Sequence, residues 1–338
     1  MSLGKGLITL LMALAWAVMP AMADEPDNPT LTYLRSPEWL GPVWVEASEW
    51  ANLEEMVESL ASSRSRAEDG QYQLYKLTNS LHAYFTRQGE DRDELLRTRL
   101  ADYRAQYPKS AFAVILPAMQ LHAAAWRARG RGFASTITPE GEELWRERNK
   151  EAWKVIRASK MRGDRLPAWY EQAISIGLDA RAPFDDLTAL FNEGIERFPG
   201  YDPIYFAFTR QFAPRWGGSY EEADAFITAQ VAAKTNVEGE ELYTRLYWLI
   251  DDYEAGSPGF FAESLVDWSR MKAGFEQMLK EFPSSKVYPA AFASYACRAA
   301  DVATYMKLRA KVSPQAFADR APEGISLEVC DARFIKKT

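Results

Sequence analysis

LADYRAQYPKS (residues 100–110), FNEGIERFPGY (191–201) and FEQMLKEFPSS (275–285) are one pattern written three times. In each, Leu100, Phe191 or Phe275 is followed seven positions later by an aromatic residue (Tyr107, Phe198, Phe282) and then by proline. Seven residues are about two turns of α-helix, so both apolar side chains fall on one face. Proline disfavours helical conformation in the residue before it, so each helix is predicted to stop at the aromatic. The first and third copies then enter AFAVILPAMQLHAAAW and YPAAFASYACRAAD, alanine-rich stretches whose small side chains permit close helix packing.

Helix signals dominate the rest of the chain. Asn52 with Glu55, and Asp91 with Glu94, have the spacing of a capping box. Thr138-Pro139 and Ser313-Pro314 place a capping hydroxyl before a first-turn proline. Apolar residues recur at three- and four-residue intervals, as at Leu187, Leu190, Phe191, Ile195 and Phe198, and no run alternates with period two. The prediction is an all-α chain of roughly a dozen helices. A helix closed by aromatic-Pro and followed by a small-residue helix resembles the tetratricopeptide class. The copies recur after 91 and 84 positions, far longer than that class's repeat of about 34. The resemblance therefore implies an irregular α-α superhelix of tetratricopeptide-like hairpins.

The chain begins with Lys5, an apolar run over 7–19 and Ala21-Met22-Ala23, the pattern of a secretory signal peptide cleaved after Ala23. That run is shorter than the roughly 20 residues of a membrane span, so a soluble periplasmic or secreted protein is predicted, with no stable span after cleavage. The expected organisation is a leader (1–23), an extended or short helical segment (24–47), a helical repeat-like domain (48–312) and a tail (313–338). Loss of Lys5 takes the formal charge from -7 to -8, and scattered cations give no footprint for nucleic acid. Export places Cys297 and Cys330 in an oxidising compartment, where a bridge pinning the tail is expected over two buried thiols.

Three longer stretches carry a more specific resemblance. LASSRSRAEDGQYQLYKL (60–77), AWRARGRGFASTIT (125–138) and FAPRWGGSYEEADAF (212–226) together resemble the bacterial family called domain of unknown function 4034. The likeness spans roughly residues 50–300. It implies a shared fold and no mechanism.

Familiar catalytic and cofactor motifs are missing from the sequence: it has no P-loop, no GxSxG, no dinucleotide fingerprint and no HExxH. No cofactor is predicted. His82 and His122, the two histidines, have no ligand spacing, and His122 reads as a core or interhelical hydrogen-bonding residue, so no metal is predicted. Asp251, Asp252 and Glu254 follow LYWLI and read as a solvated helix end, or as paired carboxylates for a cell-envelope enzyme acting on a sugar or peptide. In AWRARGRG (125–132), Trp126, Arg127, Arg129 and Arg131 beside two glycines are suited to grip a carboxylate or phosphate, or to end a helix with favourable cations. In PRWGGS (214–219), Pro214, Gly217, Gly218 and Ser219 read as helix stop, sharp turn and helix start. Arg215 and Trp216 are left over, as a gap-filling indole and an arginine paired to an acid such as Asp224, or as a binding site. The resulting expectation is a binding or scaffolding module with Arg129, Arg215 and Trp216 close together on a concave groove. Its partner would be a peptide or protein of the cell envelope.

Overall fold

The computed structural model describes residues 35–130, 132, 136–233, 236–254, 256 and 259–334. The leader and Arg131 lie outside the described residues. The helices are α1 (Pro37–Ala47), α2 (Trp50–Ser63), α3 (Gln73–Arg87), α4 (Asp93–Gln106), α5 (Leu116–Arg129) and α6 (Pro139–Ala158). There follow α7 (Lys160–Gly163), α8 (Pro167–Asp179), α9 (Phe184–Arg197), α10 (Asp202–Thr209), α11 (Tyr220–Ala232) and α12 (Glu240–Tyr253). The last are α13 (Phe260–Glu263), α14 (Trp268–Glu281), α15 (Val287–Arg298), α16 (Val302–Arg309), α17 (Pro314–Ala318) and α18 (Leu327–Phe334). The described residues form an all-α, irregular α-α superhelix. Packing passes serially from α1 to α3, α5, α6, α8, α10, α12, α14 and α15, each lying against the next.

The three aromatic-Pro turns share one conformation. Tyr107, Phe198 and Phe282 end α4, α9 and α14 with φ of -120°, -130° and -120° and ψ of 65°, 63° and 67°. Each N–H still donates to the carbonyl four residues back, at 2.9, 2.9 and 2.8 Å, while the positive ψ turns the chain out of the helix. The N–H groups of Ser110, Tyr201 and Ser285 then donate to those aromatic residues' carbonyls, at 3.0, 3.1 and 3.1 Å, which closes the turn.

Caps follow the sequence where nothing larger competes. The hydroxyls of Thr138, Ser219 and Ser313 accept from the N–H groups of Gly141, Glu222 and Ala316 at 3.1, 3.1 and 3.2 Å. Two predicted starts are wrong. Helix α2 begins at Trp50 and not at Asn52, because Trp50 stacks on Tyr103 (4.7 Å, 12°) and its indole N–H donates to Asp102 at 3.0 Å. Burying an indole outweighs a surface cap. Asp91 lies in a 3-10 turn (Glu90–Arg92) that runs straight into α4, held by Arg92 pairing with Glu46 at 2.6 Å.

Alanines do pack as their size suggests: Ala118, Ala123 and Ala125 on α5 and Ala291, Ala293 and Ala296 on α15 are fully buried. Helices α12 and α14 approach closely at a glycine: a Cβ on Gly274 would lie 2.1 Å from the Glu240 carbonyl oxygen. A knot of charge ties the N-terminal helices to the C-terminal ones. Arg66, after α2, pairs with Glu238 and with Glu241 at 3.2 Å, and lies 4.6 Å over the Tyr72 ring. Arg245 donates to Glu241 at 2.7 Å and to the Tyr288 hydroxyl at 2.6 Å, and that hydroxyl donates to the Asp69 carbonyl at 2.6 Å. Burial and the nearby Asp202 carboxylate outweigh the two arginines and push Glu238 up to about 8.

Cys297 on α15 is bonded to Cys330 on α18, with 5.9 Å between Cα atoms, so the tail is tethered. Closing a loop of 33 residues restricts the unfolded chain by about 3 to 4 kcal/mol in the chain-entropy model. The Cys297→Ser/Cys330→Ser variant is therefore expected to unfold at lower urea concentration by that amount. An unchanged midpoint would show that the tether adds nothing.

Candidate functional site

Helix phase decides which of the arginines in AWRARGRG share a surface. Trp126 and Arg129 are three residues apart on α5 and lie on one face, whereas Arg127 and Arg129 are about 200° apart. Arg127 accordingly turns inward: it pairs with Asp93 and donates to the Phe85 carbonyl at 3.1 Å. It holds α4 and the end of α3 to α5 and does not belong to a site. Arg129 stays beside the indole, 5.2 Å from the Trp126 ring centroid, and among the described residues its guanidinium makes long contacts of 3.4 Å to the Gly130 and Gly132 carbonyls.

The PRWGGS turn is a 3-10 segment, Pro214–Trp216, in which successive side chains diverge by about 120°. Arg215 and Trp216 therefore part company. The Arg215 N–H donates to Glu254 at 2.8 Å and its guanidinium reaches the Tyr253 carbonyl at 3.5 Å, across the end of α12. Asp224, the partner predicted for it, instead accepts from the Tyr247 hydroxyl. Gly217 takes φ 98°, a left-handed angle that favours glycine, and a Cβ on Gly218 would lie 2.3 Å from the Phe212 carbonyl oxygen. Both glycines are explained by the turn. Trp216 points the other way and meets Trp126 edge to face at 6.4 Å.

Around these residues lies a cavity of about 390 Å³, lined by Arg129, Trp145, Asp179, Arg181, Arg210 and Trp216 among others. Trp145 of α6 packs edge to face on Trp126 at 6.2 Å, and its indole N–H has no partner among the described residues. Arg210 lies 5.3 Å over the Trp216 ring. Trp216 remains 41 % exposed. Arg129 and Trp216 thus face one cavity, while Arg215 and Arg127 do not.

Beneath the cavity sits Asp179, the last residue of α8. One oxygen accepts from Arg210 at 2.8 Å; the other accepts from the Trp126 indole at 2.8 Å and lies 2.7 Å from His122 Nε2. An ionised carboxylate only accepts, so His122 is assigned as donating Nε2–H. Burial alone would raise the Asp179 pKa, but the Arg210 charge and the His122 and Trp126 hydrogen bonds prevail and hold it at about 2. His82 lies behind, its ring 5.1 Å from that of His122. Burial, aided by His122 and opposed by Asp179, pushes His82 down to about 3.

Sequence reading missed Trp145, Asp179, Arg181 and Arg210, which come from different elements and carry no motif. His122 held the one usable signal: a buried histidine in an alanine-rich helix requires a partner, and Asp179 is that partner.

Of the carboxylates after LYWLI, Asp252 is exposed and Glu254 half-buried, as at a solvated helix end, whereas Asp251 departs from that reading. Asp251 is buried, accepting from Arg298 at 2.8 Å and from the Tyr295 hydroxyl at 2.7 Å. Glu254 accepts from Arg215. Asp252, with Trp248, Asp319 and Arg320, lines a second cavity of about 310 Å³, and burial and the Asp251 charge push its pKa up to about 6. Among the described residues no cluster of His, Cys, Asp and Glu is arranged to hold a metal ion, and no helix is long and apolar enough to cross a membrane. No family model, curated protein or solved structure matches the chain.

Asp179→Asn strips the buried charge that pairs partly buried Arg210 and is expected to destabilise the protein by about 2 to 3 kcal/mol. Trp216→Ala, at an exposed ring, should lose about 1 kcal/mol or less. Urea titration measures both, and equal large losses would make Trp216 a packing element only. The folded state keeps His82 neutral, while the unfolded chain takes up a proton below about pH 6.5. Stability is therefore complete above pH 6.5 and falls by about 1.4 kcal/mol per unit as pH drops toward 3. His82→Gln should remove this slope, and an unaltered slope between pH 6 and 5 would assign it elsewhere.

Proposed function

We propose that this chain is an exported binding module of the bacterial cell envelope that engages a peptide or protein partner at the cavity lined by Trp145 and Trp216. The observation that carries the reading is the mixture at that cavity. Two indoles, Trp145 and Trp216, both packed on Trp126, stand beside three guanidiniums delivered by α5, the residues after α8 and the 3-10 turns after α10. Arginine and tryptophan are the residue types that dominate binding energy at interfaces. Arg66 and Arg245, by contrast, are committed to Glu238 and Glu241 and offer nothing to a partner. Export rests on the signal-like pattern of residues 1–23. Membership of the family of domain of unknown function 4034 is part of the same proposal and transfers no activity.

The alternative, a cell-envelope enzyme, has one observation in its favour, the raised Asp252 carboxyl in the second cavity. Its neighbour Asp251 is fully engaged by Arg298 and Tyr295, so a general acid is on hand without the free paired base. The binding reading is therefore preferred.

Retention of envelope proteins on the immobilised mature chain tests it. Trp216→Ala and Arg129→Ala are expected to reduce retention about tenfold or more, with unfolding midpoints close to wild type. Identical sets of retained proteins on wild type and both variants would place the binding surface elsewhere.

A further inference from the structure

Two of the three guanidiniums at the cavity are uncommitted. Arg210 is fixed by Asp179, but Arg129 and Arg181 have no acid within ion-pair distance among the described residues. Arg181 is exposed and follows the end of α8, and its N–H donates to the Leu178 carbonyl at 3.1 Å. It takes φ 55°, a left-handed angle that a residue with a side chain adopts at a cost of about 1 to 2 kcal/mol. Glycine is the usual residue at such a helix end.

Resting on the binding reading above, we propose that the cavity takes the C-terminal residue of a peptide, with its terminal carboxylate between Arg129 and Arg181 and its side chain against the indoles of Trp145 and Trp216. Charge bookkeeping selects the anion. The described lining carries Arg129, Arg181 and Arg210 against Asp179 and Glu142, an excess of one positive charge. A monoanion neutralises it, a phosphate dianion overshoots, and a zwitterionic free amino acid leaves it uncompensated. Guanidinium forks match the planar carboxylate geometrically. About 390 Å³ is at the small end of ligand cavities, suited to one terminal residue and not to a long stretch of chain.

The test titrates the mature chain, by tryptophan fluorescence and calorimetry, with N-acetyl-Ala-Ala-Phe, its C-terminal amide, free phenylalanine and inorganic phosphate. The acid should bind at least tenfold more tightly than the amide, with phenylalanine and phosphate weaker still. Arg181→Gly should weaken the acid at least tenfold while leaving thermal stability equal or higher, since glycine relieves the left-handed angle. Arg129→Gln should weaken it similarly. Equal affinity for acid and amide, or phosphate binding as tightly as the acid, would overturn the carboxylate assignment; free phenylalanine binding as tightly as the peptide would overturn the peptide terminus as its source. If no probe binds while Trp216→Ala still abolishes partner retention, this inference falls and the binding reading stands. If retention is also unchanged, both fall.

Discussion

Asp179 places a negative charge on the last residue of α8, the end of a helix where the backbone dipole disfavours it. The chain answers with a cation and two N–H donors from outside the helix: Arg210, His122 and Trp126. That requirement sets the geometry of the site. It brings the end of α5 against the end of α8 and draws in the 3-10 turns after α10, which carry Trp216 to the same place. Without the carboxylate, Arg210 would be a partly buried charge without a counterion and Trp126 would lose its acceptor on Asp179. The pocket lies directly over the acid that these three groups satisfy.

The same solution recurs on α12, where Asp251 near the C-terminal end is met by Arg298 and Tyr295 of α15. Asp251 and the knot at Arg66 and Arg245 join helices far apart in sequence, with their arginines committed to acids of the chain itself. The cavity over Asp179 differs because its polar floor is satisfied while its rim is not. Arg129 and Arg181 face outward beside an exposed indole, and this contrast separates a joint from a site.

Much of the fold was legible. Proline after Tyr107, Phe198 and Phe282 fixes the backbone of each turn locally, so a sequence pattern was enough to find it. Hydroxyl caps at Thr138, Ser219 and Ser313 were legible for the same reason. The start of α2 was misplaced because Trp50 answers to Tyr103, some fifty residues away, and local rules carry no such information. At the site, the odd composition of AWRARGRG and PRWGGS pointed to Trp126, Arg129 and Trp216. Arg127 and Arg215 were grouped with them by proximity in sequence, whereas helical and 3-10 rotation send them to Asp93 and to Glu254 and Tyr253. Arg181, Arg210 and Trp145 come from segments without motif, and only tertiary packing assembles them.

A crystal structure of the mature chain with N-acetyl-Ala-Ala-Phe tests the central claim, that the unsatisfied rim over Asp179 is a ligand site. The account predicts the terminal carboxylate between Arg129 and Arg181, the phenyl ring against Trp216, and Arg210 still on Asp179. A peptide bound elsewhere, or an empty cavity with Arg129 and Arg181 both paired to acids of the chain itself, would contradict it.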